Sequence, residues 1–216
     1  MKNVSINKRY AVTIPRKRTF EDLVEYVKNS GKEYDVIEDE NTGTSSIVIG
    51  KTKRRQITLG FDNKNRLIRE RVNDFRGFKS FSAEYGNNDE IILYKRICDT
   101  SYPEDGIFIR TESNSRYFYD NDNKINSVEI ITKTTEDSRD GAKEEENCYF
   151  AEFKYRPDGS LSYTVYQGDF SSDLGRVRPS KCELMTYICD ANGKIIDAVK
   201  PEIKNIYFNR SSKQSV

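Results

Sequence analysis

Tyr119-Asp120-Asn121-Asp122-Asn123-Lys124-Ile125 is the stretch that decides the fold of this chain. An aromatic residue, an Asp, two small polar residues, an Asn, a base and an apolar residue predict a strand, a tight turn and a second strand. Asn, Asp and Gly tolerate positive φ, and the short Asx side chains hydrogen-bond nearby backbone. The frame returns as Phe61-Asp62-Asn63-Lys64-Asn65-Arg66-Leu67 and as Tyr155-Arg156-Pro157-Asp158-Gly159-Ser160-Leu161. It returns again in Ile188-Cys189-Asp190-Ala191-Asn192-Gly193-Lys194-Ile195, and in degenerate form as Tyr85-Gly86-Asn87-Asn88-Asp89-Glu90-Ile91. Asp158-Gly159 and Asn192-Gly193 are the sharpest hairpin signals, of the kind that favours primed turns. Asn65 and Asn123 supply the left-handed residue less readily.

The flanks alternate as strands do. Phe153, Tyr155, Leu161, Tyr163 and Val165 fall on alternate positions around one turn, and Ile57, Leu59 and Phe61 precede another. Aligned on Gly86, Asp120, Arg156 and Asp190, the copies step by 34, 36 and 34 residues, with a shorter first step of 24 from Asp62. Such a period suits some helical repeats, but Asn/Asp/Gly turns and β-branched flanks oppose that reading. The spacing predicts a mainly β chain, an antiparallel up-and-down meander forming a twisted open sheet or a partly closed barrel. All tight turns then lie at one edge. Four longer connections, Val72–Phe81, Cys98–Gly106, Thr134–Cys148 and Gln167–Cys182, lie at the other.

Composition agrees with a folded β protein. Val, Ile, Leu and Phe make 50 of 216 residues, the formal net charge is only +1, and 20 Ile stand against 7 Leu. Before the meander, Tyr10 to Ile14 is β-like and Pro15 ends it. Thr19 then caps a helix, with Asp22 as its capping-box partner. Phe20, Leu23, Val24 and Val27 form its apolar stripe, and Gly31 stops it. Val36 to Glu40 and Ser46 to Gly50 read as one more hairpin. The expected organisation is an N-terminal helix-and-hairpin lobe (1–53) packed on the sheet, a meander (54–209) holding a short edge strand at Ile203 to Phe208, and a tail (210–216).

Most common chemistry is excluded by residue type. The chain has no His, so Ser-His, Cys-His and two-His metal sites are out. GxGxxG and GxxxxGK[ST] are absent, and no cofactor or metal is expected. Cys98, Cys148, Cys182 and Cys189 lack CxxC spacing and read as free structural thiols. Cys98-Asp99 and Cys189-Asp190 place an acid beside the sulfur, which raises a thiol pKa. There is no run of roughly 18 apolar residues and no apolar leader, so the expected location is cytoplasmic, or a host cell reached without an N-terminal signal peptide.

Three functional readings remain. The first is a non-enzymatic protein-binding module of bacterial or phage type, an effector, inhibitor or immunity protein using the long connections. Its candidate contacts are Arg76, Phe78, Tyr102, Arg139, Glu145, Phe170, Arg176 and Arg178. The second is a histidine-free hydrolase or lyase using Asp/Glu with Tyr or Arg in a barrel mouth, which requires two inward carboxylates in one pocket. The third is a nucleic-acid binder. Residues 1–80 carry 18 Lys/Arg against 11 Asp/Glu, with Arg16, Lys17, Arg18, Lys53, Arg54 and Arg55 clustered. Tyr117, Phe118 and Tyr119 beside Arg116 add a loose aromatic-basic signature, for which cross-strand packing is the competing explanation.

The frame resembles the YD repeat of bacterial RHS-type proteins, most closely over Tyr119 to Val128. It is also similar to the hairpin repeats of MORN-like bacterial antitoxin proteins. The resemblance covers about 54–200 at seven positions per copy. It implies a repetitive β-sheet surface of the kind bacteria use around toxins, immunity and secretion, and it transfers no catalytic residue.

Overall fold

The computed structural model describes residues 10–14, 19–50, 56–74 and 77–201. Among the described residues one helix, α1 (Phe20–Asn29), precedes twelve strands. These are β1 (Tyr34–Asp39), β2 (Thr44–Ile49), β3 (Ile57–Phe61), β4 (Leu67–Asp74), β5 (Gly77–Tyr85) and β6 (Ile91–Tyr102). They continue as β7 (Ile107–Tyr119), β8 (Ile125–Ser138), β9 (Gly141–Tyr155), β10 (Leu161–Ser171), β11 (Arg176–Cys189) and β12 (Ile195–Val199). All twelve join one antiparallel sheet in sequence order, and β1 and β12 are its two edges, so the meander is open. The first hairpin continues the same sheet through the pairing of β2 with β3. The expected strand at 203–208 and the tail lie outside the described residues. No described helix is long and apolar enough to cross a membrane.

The recurring frame builds one turn five times. The second frame residue donates its N–H to the carbonyl of the sixth, as in Asp62 to Arg66 at 3.1 Å, Gly86 to Glu90 at 2.8 Å and Asp120 to Lys124 at 2.9 Å. Arg156 to Ser160 and Asp190 to Lys194 repeat it. The fifth residue is left-handed each time: Asn65, Asp89, Asn123, Gly159 and Gly193, with φ between 59° and 82°. Asp158 and Asn192 are not left-handed, so Asp-Gly and Asn-Gly here do not form the primed turns expected of them. The three-residue loop with a final left-handed residue wins because a local side-chain acceptor rewards it, the frame Asp190 in one case and Asp158, which accepts the Ser160 N–H at 2.9 Å, in the other. Asp62, Asp120 and Asp190 each accept two backbone N–H groups on one carboxylate oxygen, at 2.9 to 3.0 Å.

The frame also stitches neighbouring copies together. The Tyr85 hydroxyl donates to the Leu67 carbonyl at 2.9 Å, and Tyr119 donates to Ile91 at 2.8 Å. Each is the first residue of one copy reaching the seventh of the previous copy. The base follows the same rule: the Arg66 guanidinium lies 4.4 Å from the Tyr85 ring centre, and Lys124 lies 5.7 Å from that of Tyr155. Burial pushes the Tyr119 hydroxyl up to about 12, with Glu90 and Tyr155 adding to it.

One face of the sheet carries the core. Tyr117, Val128, Ala151, Val165 and Met185 form a continuous buried row across β7 to β11. Phe153, Tyr163 and Tyr187 stack in the next row, with ring centres 4.9 and 5.1 Å apart. Tyr10–Ile14 crosses this face as a strap rather than a strand. Its backbone is held by tyrosine hydroxyls: the Val12 N–H donates to Tyr163 at 3.2 Å, the Tyr10 N–H donates to Tyr187, and Tyr117 donates to the Thr13 carbonyl at 2.7 Å. The helix covers the other end of the same face. Thr19 and Asp22 form the expected capping box, and Leu23 and Val27 bury against Ile47, Leu59 and Phe61. Each such aliphatic or aromatic side chain contributes about 1.5–3 kcal/mol.

Candidate functional site

The frame turns all lie at one edge of the sheet, called proximal here. The opposite, distal edge differs from expectation. The four stretches expected as long connections are mostly strand: β8 runs to Ser138 and β9 resumes at Gly141, so only two residues separate them. The other described turns at this edge have four residues each, 103–106 and 172–175. Alternation failed there because it reports burial rather than pairing. Gly141 to Glu146 are all exposed yet pair regularly with β8. The strands outrun the core, and their ladders continue in solvent with polar side chains on both faces.

Two distal tips expose apolar side chains. At the first, Tyr102 (43% exposed) and Phe108 (41%) flank the β6–β7 turn. Arg139, from the β8–β9 turn, lies against the same turn. A Cβ on Gly106, which has φ +65°, would come within 3.0 Å of its Nε. These residues line an open cleft of about 330 Å³ with Pro103, Asp137 and Ser138. At the second tip, Phe170 (49%) and Leu174 (52%) are exposed around the β10–β11 turn, with Arg178 also exposed.

The second tip is anchored across the face opposite the core. β10 leaves β9 after Gln167, with register shifts on both sides of Tyr166. Gly168 permits the crossing: a Cβ there would meet Val177 Cγ1 at 2.5 Å and the Cys148 carbonyl carbon at 2.9 Å. Glu129, only 4% exposed, sits beneath it. Its carboxylate accepts from Arg176 Nε at 2.8 Å and the Val177 N–H at 3.2 Å, with Arg116 at 3.9 Å. The Arg176 guanidinium also covers the Phe118 ring at 4.6 Å.

The expected contact residues therefore divide. Tyr102 and Arg139 are brought together, and Phe170 and Arg178 share the second tip. Arg176 is engaged by Glu129 and Phe118 and holds the tip in place. Phe78 is half-buried within β5 beneath Arg71, at 5.3 Å. Glu145 lies apart from the tips along exposed β9, accepting from Asn147 at 2.8 Å. Arg76 and the basic residues Arg16, Lys17, Arg18, Lys53, Arg54 and Arg55 lie outside the described residues. Phe108 and Leu174 were not singled out from the sequence. The signal for both was a large apolar residue within two positions of a turn in a polar setting.

The chemistry of the remaining candidates is structural. Tyr117 is buried, Phe118 lies under Arg176, and Tyr119 is bonded to Ile91, so this triplet presents no stacking platform. Burial pushes the Cys148 and Cys189 thiols up, and nearby acids add to it. Among the described residues that line the two cavities on the core face, Glu70 is the one carboxylate. Asp99 is buried with Oδ1 unpaired and Oδ2 3.5 Å from Arg110. No described cluster of three or more Cys, Asp or Glu could hold a metal. The chain matches no known protein family, no curated protein and no solved structure.

Proposed function

We propose that this protein is a non-enzymatic protein-binding module that engages a macromolecular partner through its distal hairpin tips. Its setting is that of a bacterial or phage effector, inhibitor or immunity protein, acting in the cytoplasm of its own cell or of a host. The observation that carries this reading is the Tyr102, Phe108 and Arg139 cluster around the 330 Å³ cleft. Aromatic residues and arginine dominate binding hot spots, because they combine large area with few rotors and directional polar groups. Here Tyr102 and Phe108 stand on paired strands and Arg139 in a two-residue turn between paired strands, so presenting them requires little ordering of the backbone. The sheet's extension beyond its core supports the same reading: β8 and β9 project residues that add nothing to burial.

The test is affinity capture from source-cell lysate at low and high salt, run in parallel with a Tyr102→Ala/Phe108→Ala double variant. The proposal expects a stoichiometric protein that survives high salt with the native chain and is lost with the folded variant. Equal capture by both would remove the distal-edge reading. Nucleic acid recovered only at low salt would replace it with an electrostatic one.

A further inference from the structure

Two cavities flank the strap on the core face of the sheet, and their linings differ. The larger, about 470 Å³, lies between the strap and the helix end of the sheet. Leu67, Val72, Phe81, Ala83, Tyr85 and Ile91 give it a mainly apolar lining, interrupted on the β4 and β5 side by Glu70, Lys79 and Ser80. The smaller, about 380 Å³, lies on the other side of the strap, and Thr111, Ser113, Ser115 and Thr132 give it a hydroxyl-rich floor. Thr13, Tyr94 and Arg96 line both. The two adjoin at these residues as chambers of one trough beside the strap; the larger holds the aliphatic side chains together with Glu70 and Lys79, and the smaller holds the hydroxyls.

Register explains the gradient. A single cross-strand row runs Phe81, Arg96, Ser113, Thr132 on one face of β5 to β8. The adjacent row on that face holds Ala83, Tyr94, Ser115 and Ile130. Elsewhere this face buries apolar side chains beneath the helix or the strap. An arginine followed by two hydroxyls in the middle of it does not serve core packing. Arg96 is exposed into the trough and makes none of the ion pairs among the described residues. Phe81 and Tyr94 stack beside it with ring centres 5.2 Å apart, which fixes the wall of the apolar chamber.

We infer that this trough binds a single-chain anionic amphiphile, with its alkyl tail in the apolar chamber and its phosphate or carboxylate on Arg96. Hydroxyls or further oxygens of the headgroup meet Ser113, Ser115 and Thr132. The chambers are within the volume range typical of small-molecule sites, and a guanidinium fork is the side chain best matched to such an anion. This inference stands apart from the distal edge, since the trough and the tips share no residue.

The experiment is calorimetric titration of the full chain with n-decyl phosphate, n-decanol and inorganic phosphate. The expected result is saturable one-to-one binding of decyl phosphate, about tenfold tighter than decanol, with inorganic phosphate weaker than both. Arg96→Gln, at an exposed position, should reduce decyl phosphate to the affinity of decanol and leave decanol unchanged. Val72→Trp, which narrows the tail chamber, should weaken both alkyl ligands, with circular dichroism reporting that each variant is folded. The inference is overturned by absence of saturable binding or by equal affinity of the two alkyl ligands for the native chain. A folded Arg96→Gln that keeps its preference for the anion also overturns it.

Discussion

The two edges of the sheet are built from the same strands by opposite rules. At the proximal edge the frame's aromatics, acids and bases are spent on their own turn or on the neighbouring copy: Tyr119 on Ile91, Asp120 on two backbone N–H groups, Arg66 on Tyr85 and Asp62. At the distal edge no frame recurs, and large apolar side chains stand exposed beside arginines. The difference teaches that repetition in this chain marks contacts the protein makes with itself. The unrepeated edge is where side chains are left over for something else. The β10–β11 tip is the exception that tests the rule, since it is distal yet pinned by Glu129.

Breaking that exception should have the largest effect on stability. Gly168→Ala places a methyl against Val177 and the Cys148 backbone, and should cost about 1–3 kcal/mol in urea unfolding. It should also release the tip, read as faster amide exchange at Val177. Unchanged exchange there would mean that the crossing does not depend on Gly168.

Substitutions at the proximal edge sharpen the comparison with smaller effects. Asp120→Ala removes the acceptor of two backbone N–H groups and should cost about 1–2 kcal/mol in the same measurement. Tyr119→Phe should cost about 1 kcal/mol by leaving the Ile91 carbonyl without its hydroxyl donor. It should also flatten the alkaline limb. The Tyr119 hydroxyl ionises near 10.0 when unfolded and at about 12 when folded. Its contribution is whole below 10.0 and is lost as pH rises towards 12.

The smallest effect concerns Asp62. Burial pushes its carboxyl up, but the Arg66 side chain and the backbone N–H groups of Arg66 and Lys64 outweigh that and hold it below 3.8. Its contribution is present above 3.8 and lost as pH falls further. Asp62→Asn should therefore be less stable near neutral pH, with a shallower acid limb in a pH series of melting temperatures. An unchanged acid limb would mean that another group governs it.

Much of the fold was legible because its signals are local. The frame fixes each turn through one local carboxylate acceptor and one left-handed residue, so Asn65, Asn123, Gly159 and Gly193 announced the turns. Thr19 and Asp22 announced the helix. Turn type differed from the dipeptide preference at Asn192-Gly193 because Asp190 caps the loop, and at Asp158-Gly159 because Asp158 itself accepts the Ser160 N–H across Gly159. The distal edge was misread for a deeper reason. Lys143 to Glu146 pair without burying anything, and pairing between solvated strands leaves no periodic trace in composition. Four of the expected contact residues lie at the tips. Arg176 does not face outward freely, because its partner Glu129 is 47 positions away in sequence.

The measurement that tests the two-edge account most directly compares partner affinity across edges. Calorimetry with the captured partner should be run on the Tyr102→Ala/Phe108→Ala variant and on Asp120→Ala. The account predicts that the distal variant loses about thirtyfold or more in affinity while its melting temperature holds. It predicts that Asp120→Ala loses stability and binds as tightly as the native chain. Native affinity in the distal variant, or a loss confined to Asp120→Ala, would contradict it.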